Sequence, residues 1–169
     1  MAEPTRPSVL ADARAITAAD PAGQGTAATL VSYPGLHAVA AHRLAHRLWS
    51  TRCGRPAAQA IATASAKATG ITIHPGAVIG HRLFIDHGSE VVLGETSVIG
   101  DDVTIYQGAS FVGDDSPDRR HAVVGNGVLN GSGAKVIGPV TIGAGAKIGA
   151  GAVVTRDVAA DTTVVGIDV

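Results

Sequence analysis

From Ile73 onward, aliphatic residues return at intervals of six. They stand at Ile73, Ile79 and Ile85, then at Leu93, Ile99, Ile105 and Phe111, then at Val124, Val136, Ile142, Ile148 and Val154. A spacing of six matches neither the 3.6 of a helix nor the 2 of a flat strand. It matches a solenoid in which each hexapeptide gives one short strand and one corner, and three hexapeptides close a triangular coil. Glycine follows the aliphatic position at Gly80, Gly94, Gly100, Gly125, Gly131, Gly143 and Gly149, as expected where tight corners favour a residue without a Cβ. Small or apolar residues stand four places after it, at Ala77, Val103, Ala134, Ala146 and Ala152, as a narrow interior requires. The pattern predicts a mainly β fold, a parallel β-helix of roughly five coils.

The hydrophobic pattern upstream is helical. A short helix is expected from Val9 to about Thr17, ending before Asp20-Pro21-Ala22-Gly23. Tyr33-Pro34-Gly35 opens a second, with Leu36, Val39, Ala40, Leu44 and Leu48 on one face. Pro56 opens a third over Ala57 to about Ala68, stopped by Gly70. The expected organisation is an N-terminal helical cap over residues 1–70 and the β-helix over 71–169. Two interruptions break the solenoid's register. The step from Ile85 to Leu93 is eight, and the polar run from Gly113 to His121 cannot be a strand. Interruptions in a repeat map to loops on one face, where sites are commonly built.

Composition narrows the class. Two Phe, two Tyr and one Trp would poorly supply an ordinary globular core, but a β-helix stacks Ile and Val instead. A formal net charge of −1 without a dense basic run argues against nucleic-acid and anionic-membrane binding. No signal-length or membrane-length apolar run is present, so a cytoplasmic protein is expected. Cys53 is the only cysteine, so no internal disulfide can form, and no base adjoins it in sequence to make it a nucleophile. His42 and His46 lie four apart on one helical face, a metal-ligand spacing, but no further local ligand converges on them and no metal is expected.

Several motifs occur in a telling order: Asp20-Pro21-Ala22, Tyr33-Pro34-Gly35-Leu36-His37-Ala38, Ala41-His42-Arg43-Leu44-Ala45-His46, Ile73-His74-Pro75-Gly76-Ala77, Ile85-Asp86-His87-Gly88, Gly94-Glu95-Thr96, Arg120-His121 and Gly133-Ala134-Lys135. In these, from about Asp20 to Gly166, the chain resembles the serine O-acetyltransferase family. The resemblance implies a left-handed parallel β-helix behind a small helical cap, and transfer of an acetyl group from acetyl-CoA, a co-substrate rather than a permanently bound cofactor, to L-serine in cysteine biosynthesis. It also implies a homotrimer or a dimer of trimers with sites between subunits. His87 matches the catalytic base, a role suited to neutral imidazole near pH 7. His121 matches the second active-site histidine and Glu95 the acid after Gly94. Asp86 and Asp20 match carboxylates that bind the acceptor, Asp20 at its ammonium, and Arg120 matches the guanidinium fork on its carboxylate. Gly131, Ser132, Ala134 and Ala150 match backbone contacts to the pantetheine arm, with Lys147 available to the phosphates.

The departures from the family pattern bear on the same site. Thr72 stands where members carry the acid that orients the catalytic histidine, and a hydroxyl cannot stabilise an imidazolium as a carboxylate does. Glu90 replaces a small residue close by and is a candidate substitute for that acid. The acceptor loop is shortened and rewritten as Ala109-Ser110-Phe111-Val112-Gly113-Asp114-Asp115, Ala122 replaces a proline, and Asn130 takes an inward aliphatic position. The chain stops at Val169, without the family's tail, so docking to the next enzyme of cysteine synthesis is not expected. Two alternatives stay open. One is a diverged acyltransferase with another amino-acid-like hydroxyl or amine acceptor. The other is a protein outside this chemistry, either an inactive trimeric scaffold or a metal-dependent β-helix hydrolase, for which His81 and His87 fall on different corners.

Overall fold

The computed structural model describes residues 9–19, 25–116 and 118–168. Each hexapeptide of the repeat forms a strand of two or three residues that ends at a corner, and consecutive strands lie on successive faces of a triangular prism. The first coil runs through β1 (Thr72–Ile73), β2 (Val78–Ile79) and β3 (Phe84–Asp86). The second runs through β4 (Val92–Leu93), β5 (Val98–Ile99) and β6 (Thr104–Tyr106), and the third through β7 (Ser110–Val112), β8 (Val123–Val124) and β9 (Leu129–Asn130). The fourth has β10 (Lys135–Ile137), β11 (Thr141–Ile142) and β12 (Lys147–Ile148); the fifth has β13 (Val153–Val154) and β14 (Thr163–Val164), and β15 (Ile167–Asp168) starts another turn. In the fifth coil a single parallel bridge, Ile142 to Val158, takes the place of a middle strand.

The strands pair in parallel with the coils above and below, giving three sheets: face A, β1-β4-β7-β10-β13-β15; face B, β2-β5-β8-β11; face C, β3-β6-β9-β12-β14. The hexapeptide register is kept across coils. Ile73 sits on Leu93, Leu93 on Phe111, Phe111 on Val136 and Val136 on Val154. Every aliphatic position of the repeat is buried, as are the small residues four places later. This stacked column is the core, and it explains how a chain poor in aromatics folds. The glycines after the aliphatic position have a different cause from the one expected. Their backbones are not left-handed. They lie under the next coil's corner, so that a Cβ on Gly125 would come within 2.6 Å of the Ala144 nitrogen and one on Gly131 within 2.7 Å of the Ala150 nitrogen.

The helical region has one element more than its sequence suggested: α1 (Val9–Ala19), α2 (Thr26–Ser32), α3 (Pro34–Trp49) and α4 (Arg55–Thr69). A 3-10 turn, Arg52–Gly54, carries the exposed Cys53. Gly70, with φ +72°, donates to the Ala66 carbonyl and ends α4 in the left-handed cap expected of it. The buried face of α3 is Gly35, Leu36, Ala38, Val39, His42 and Ala45, rotated from the expected stripe, and Leu44 is 50% exposed. Closeness of packing decides this. A Cβ on Gly35 would overlap the Ile85 carbonyl, so the side of α3 with small residues lies against the prism.

A buried ion pair fastens this region to the first coil. Arg43 on α3 donates to Asp12 on α1 at 2.8 Å and to the Gly80 carbonyl at 3.1 Å, while Asp12 accepts from the Arg82 backbone at 2.8 Å. Both charges are desolvated, so losing either partner would strand the other. His46 bonds through Nδ1 to the Pro75 carbonyl at 2.8 Å, and the neighbouring His42 is 4% exposed with its Nδ1 unpaired. Burial, helped by His46 and Arg43, pushes the His42 pKa down from 6.5 to about 3. His42 is therefore neutral in the folded chain and protonated in the unfolded chain below pH 6.5.

Two stability predictions result. Because the folded-state value is the lower one, the contribution of neutral His42 is complete above pH 6.5 and is lost as pH falls toward about 3. Urea melts at pH 7.5 and 4.5 should show this loss, and His42→Phe, whose ring does not titrate, should flatten it. The second concerns Asn130, which is 1% exposed, stacks in register between Ile105 and Ile148, and has neither amide atom paired. Asn130→Ile should raise stability in the same melts by about 1 to 3 kcal/mol, the cost of a buried unsatisfied polar group; an unchanged or lowered midpoint would show that the amide is satisfied.

Candidate active site

The eight-residue step from Ile85 to Leu93 becomes a turn on the edge where face C passes to face A. Asp86 closes β3, and the chain then takes positive φ at His87 (54°), Gly88 (24°) and Glu90 (63°) before β4 begins. Left-handed geometry at non-glycine residues is costly, roughly 1 kcal/mol or more each, and here two such residues lie within one turn. Hydrogen bonds from Ser89 N to the His87 carbonyl (2.6 Å) and from Glu90 N to the Gly70 carbonyl (2.9 Å) hold it. The turn lifts the His87 ring off the prism. Its side chain is 77% exposed, with Nε2 3.8 Å from Asp86 Oδ1. The same carboxylate oxygen accepts from the Tyr33 hydroxyl at 3.3 Å, because the Gly35 contact seats the start of α3 over β3.

Thr72 and Glu90 are both exposed at this edge. Thr72 is the first outward residue of β1, in register with Val92. Among the described residues no hydrogen bond joins either side chain to His87.

The second interruption, between β7 and β8, lies on the edge where face A passes to face B. Arg120 N and His121 N both donate to Thr96 Oγ1 at 3.1 Å. With those two bonds accepted, the Thr96 hydroxyl gives its own hydrogen to His121 Nδ1 at 2.8 Å. Thr96 N points at the same nitrogen at 3.4 Å, so Nδ1 is the acceptor and the neutral ring carries its hydrogen on Nε2. That nitrogen lies against Gly94, where a Cβ would overlap it, and 3.0 Å from a Cβ position on Gly113. The imidazole occupies a slot that Gly94 opens and that leaves little room for a side chain at Gly113. Burial first, then the Arg120 charge, holds the His121 pKa below the ordinary value. Arg120 pairs with Glu95 at 3.3 Å, both about half exposed, a surface pair of little energetic worth.

His74 and Trp49 complete this edge. The His74 ring meets Trp49 edge-on at 4.9 Å and accepts from Gly76 N at 3.0 Å. Burial lowers the His74 pKa against the pull of Glu95. A groove of about 380 Å³ opens beside it, between Gln59, Thr63 and Lys67 of α4 and Thr72, His74 and Pro75 of the first coil.

The residues singled out from the sequence thus fall into separate groups. Asp86 and His87 stand on the C–A edge. Glu95, Arg120 and His121 stand on the A–B edge, across the width of face A, on the order of 10 Å away at the rise of a strand. One chain does not bring them together. Gly131, Ser132 and Ala134 form a turn of the C–A edge two coils below His87, Ala150 lies in the next turn down, and Lys147 is exposed on β12 just before it. Asp20 lies outside the described residues. Tyr33, Trp49, His74, Thr96, Ser110 and Lys135 were not singled out. Tyr33, His74, Thr96 and Lys135 lie inside the quoted motifs, but, His74's bond from Gly76 apart, their contacts are made with segments distant in the chain.

The description "Bacterial transferase hexapeptide (six repeats)" matches residues 121–156. A serine acetyltransferase from Mycobacterium tuberculosis is 49% identical over 157 residues, which cover 92% of this chain and 68% of that protein. A solved soybean serine acetyltransferase complexed with serine superposes with a TM-score of 0.89 at 42% identity, over 94% of this chain and 65% of its own. A serine acetyltransferase in complex with CoA gives 0.87 at 36%, again over 94% and 65%. The chain thus spans just under two thirds of those solved chains. At this identity and coverage the chain belongs to the serine acetyltransferase family.

Proposed function

We propose that the protein transfers the acetyl group of acetyl-CoA to the hydroxyl of L-serine, giving O-acetyl-L-serine for cysteine synthesis in the cytoplasm. The observation that carries this reading is the strained turn that holds His87 out from the C–A edge beside Asp86. Relatives solved with serine and with CoA support it. Among the described residues no helix is long and apolar enough to cross a membrane.

The chemistry requires a base on the acceptor hydroxyl and a grip on the amino acid's two charges. His87 takes the hydroxyl proton as the oxygen attacks the thioester carbonyl, then returns it to the departing sulfur. Asp86, held by Tyr33, lies beside that base on the acceptor side, and Asp20 takes the ammonium. Arg120 takes the carboxylate through a charge-assisted fork, with Glu95 fixing its direction. His121, neutral with its hydrogen on Nε2, donates from its glycine slot. The turns at Gly131, Ser132, Ala134 and Ala150 receive the pantetheine arm, and Lys147 the phosphates. The rewritten loop carries Val112 and Asp114 next to the slot, and this favours a second reading in which another hydroxyl or amine acceptor replaces serine.

Separation of the two half-sites supports a homotrimer. Face A presents exposed Val92, Val112 and Ile137. If three copies turn face A toward a common axis, the C–A edge of each meets the A–B edge of the next. Each site then combines Asp86 and His87 from one subunit with Arg120 and His121 from its neighbour.

Thiol release from acetyl-CoA, measured against a panel of amino acids and hydroxy acids, tests the reaction. Serine should be the preferred acceptor, and release with another acceptor alone would select the second reading. In that assay His87→Ala should lower turnover by roughly 10² to 10⁴ with CoA binding unchanged, and near wild-type turnover would remove His87 as the base. Co-expressing differently tagged His87→Ala and Arg120→Ala chains should restore activity in the doubly tagged fraction, which holds one intact site per mixed trimer. Two inactive parents giving an inactive mixture would place the site within one subunit.

A further inference from the structure

Lys135 and Ser110 are neighbours in register on the outward side of face A, each the first outward residue after the C–A edge. Their column otherwise reads Thr72, Val92, Val153 and Ile167, so a lysine here is out of keeping with its surroundings. Its head group bends to the edge, donating to the Gly108 carbonyl at 2.6 Å and to Ser110 Oγ at 3.1 Å. The second bond has a directional consequence. With one lone pair of the Ser110 oxygen filled by the lysine, its own hydrogen points elsewhere, and among the described residues no group accepts it. Ser110 is nevertheless only 8% exposed. A nearly buried hydroxyl therefore holds an unspent, oriented donor.

The edge beside this pair is a ladder of tight turns with open backbone. Its turns stack in line: Gly108 N donates to the Ser89 carbonyl, Gly133 N to that of Gln107 and Gly151 N to that of Ser132, each at 2.8 Å. Gly108, Gly133 and Gly151 take φ near +70°, and a Cβ on Gly133 or Gly151 would meet nothing within 4 Å. The result is a bare backbone strip running down from the His87 turn at about 4.8 Å per coil. The pair sits at its upper end, one coil below Ser89.

We propose that the Ser110 hydroxyl donates to the carbonyl oxygen of the acyl thioester as it becomes an oxyanion, and that Lys135 is the positioning residue that aims it. This rests on the acyl-transfer reading above. In the step, the acceptor oxygen bonds to the carbonyl carbon, the oxyanion collapses, the carbon–sulfur bond breaks, and the acceptor proton passes through His87 to the sulfur. A donor aimed where negative charge develops acts on turnover rather than on binding of the ground state.

Steady-state thiol release at saturating acceptor, with acetyl-CoA varied, decides the matter. Ser110→Ala should lower kcat by about 10² or more, the usual worth of one oxyanion donor, with KM for acetyl-CoA unchanged within about threefold. Ser110→Thr, which keeps the hydroxyl, should recover most of the turnover. Lys135→Met should lower kcat in the wild-type background but change little in the Ser110→Ala background, because it acts through that oxygen. Where Lys135→Met unfolds the protein, the two Ser110 variants decide alone. The proposal is overturned if Ser110→Ala keeps kcat within about threefold, raises only KM, or fails to fold. A wild-type chain that releases no thiol with any acceptor overturns this proposal together with the functional reading. An active wild-type chain matched by Ser110→Ala overturns this proposal alone.

Discussion

In-register stacking of coils is the constraint on which the rest of the protein depends. Each inward aliphatic residue is buried by the one a coil above and the one a coil below, so no coil is stable by itself and every coil fixes its neighbours' height and rotation. Backbone corners are pressed together closely enough that glycine is required at Gly125 and Gly131, where a Cβ would run into the next corner. A prism held this way cannot absorb an inserted residue inside its walls. Added chain is expelled at an edge, and both interruptions of the repeat are found there.

The two edge loops solve different physical problems. At the C–A edge the chain accepts left-handed backbone at His87 and Glu90, and in exchange a histidine stands clear of the wall with solvent around it. The backbone cost is met by the in-register strands on either side, which leave the turn little alternative path. At the A–B edge the histidine is enclosed instead. Thr96 uses its single hydroxyl to accept from two backbone amides and to donate to His121, which fixes the ring's tautomer and its plane. Burial first, then the Arg120 charge, lowers the ring's pKa. One edge thus presents an exposed imidazole and the other an enclosed one whose orientation is fixed.

Several of the residues read from the sequence as departures from the family pattern lie at these two edges. Thr72 and Glu90 both lie at the C–A edge, and Val112, Gly113 and Asp114 line the loop beside His121. The columns between them keep their aliphatic residues, with Asn130 the exception. Asn130 lies inside the stack and leaves its amide unsatisfied.

The architecture was legible in the sequence because a six-residue period has one structural reading, and burial enforces it at every repeat from Ile73 to Val154. The same regularity made the interruptions visible, and through them Asp86, His87, Arg120 and His121. Local pattern served less well in the helical region. It missed α2 and misplaced the buried face of α3, because that face is chosen by which side can approach the Ile85 carbonyl, a matter of contact between segments fifty residues apart in the chain. Tertiary structure alone decided that the Asp86-His87 and Arg120-His121 motifs stand on different edges of one prism. It also decided that Thr96 bonds to His121, that Tyr33 reaches Asp86, and that Lys135 bonds to Ser110. Spacing along the chain specifies which edge a residue occupies. Which side chain it meets there depends on the coil stacked above or below, and that neighbour is supplied by a distant part of the sequence.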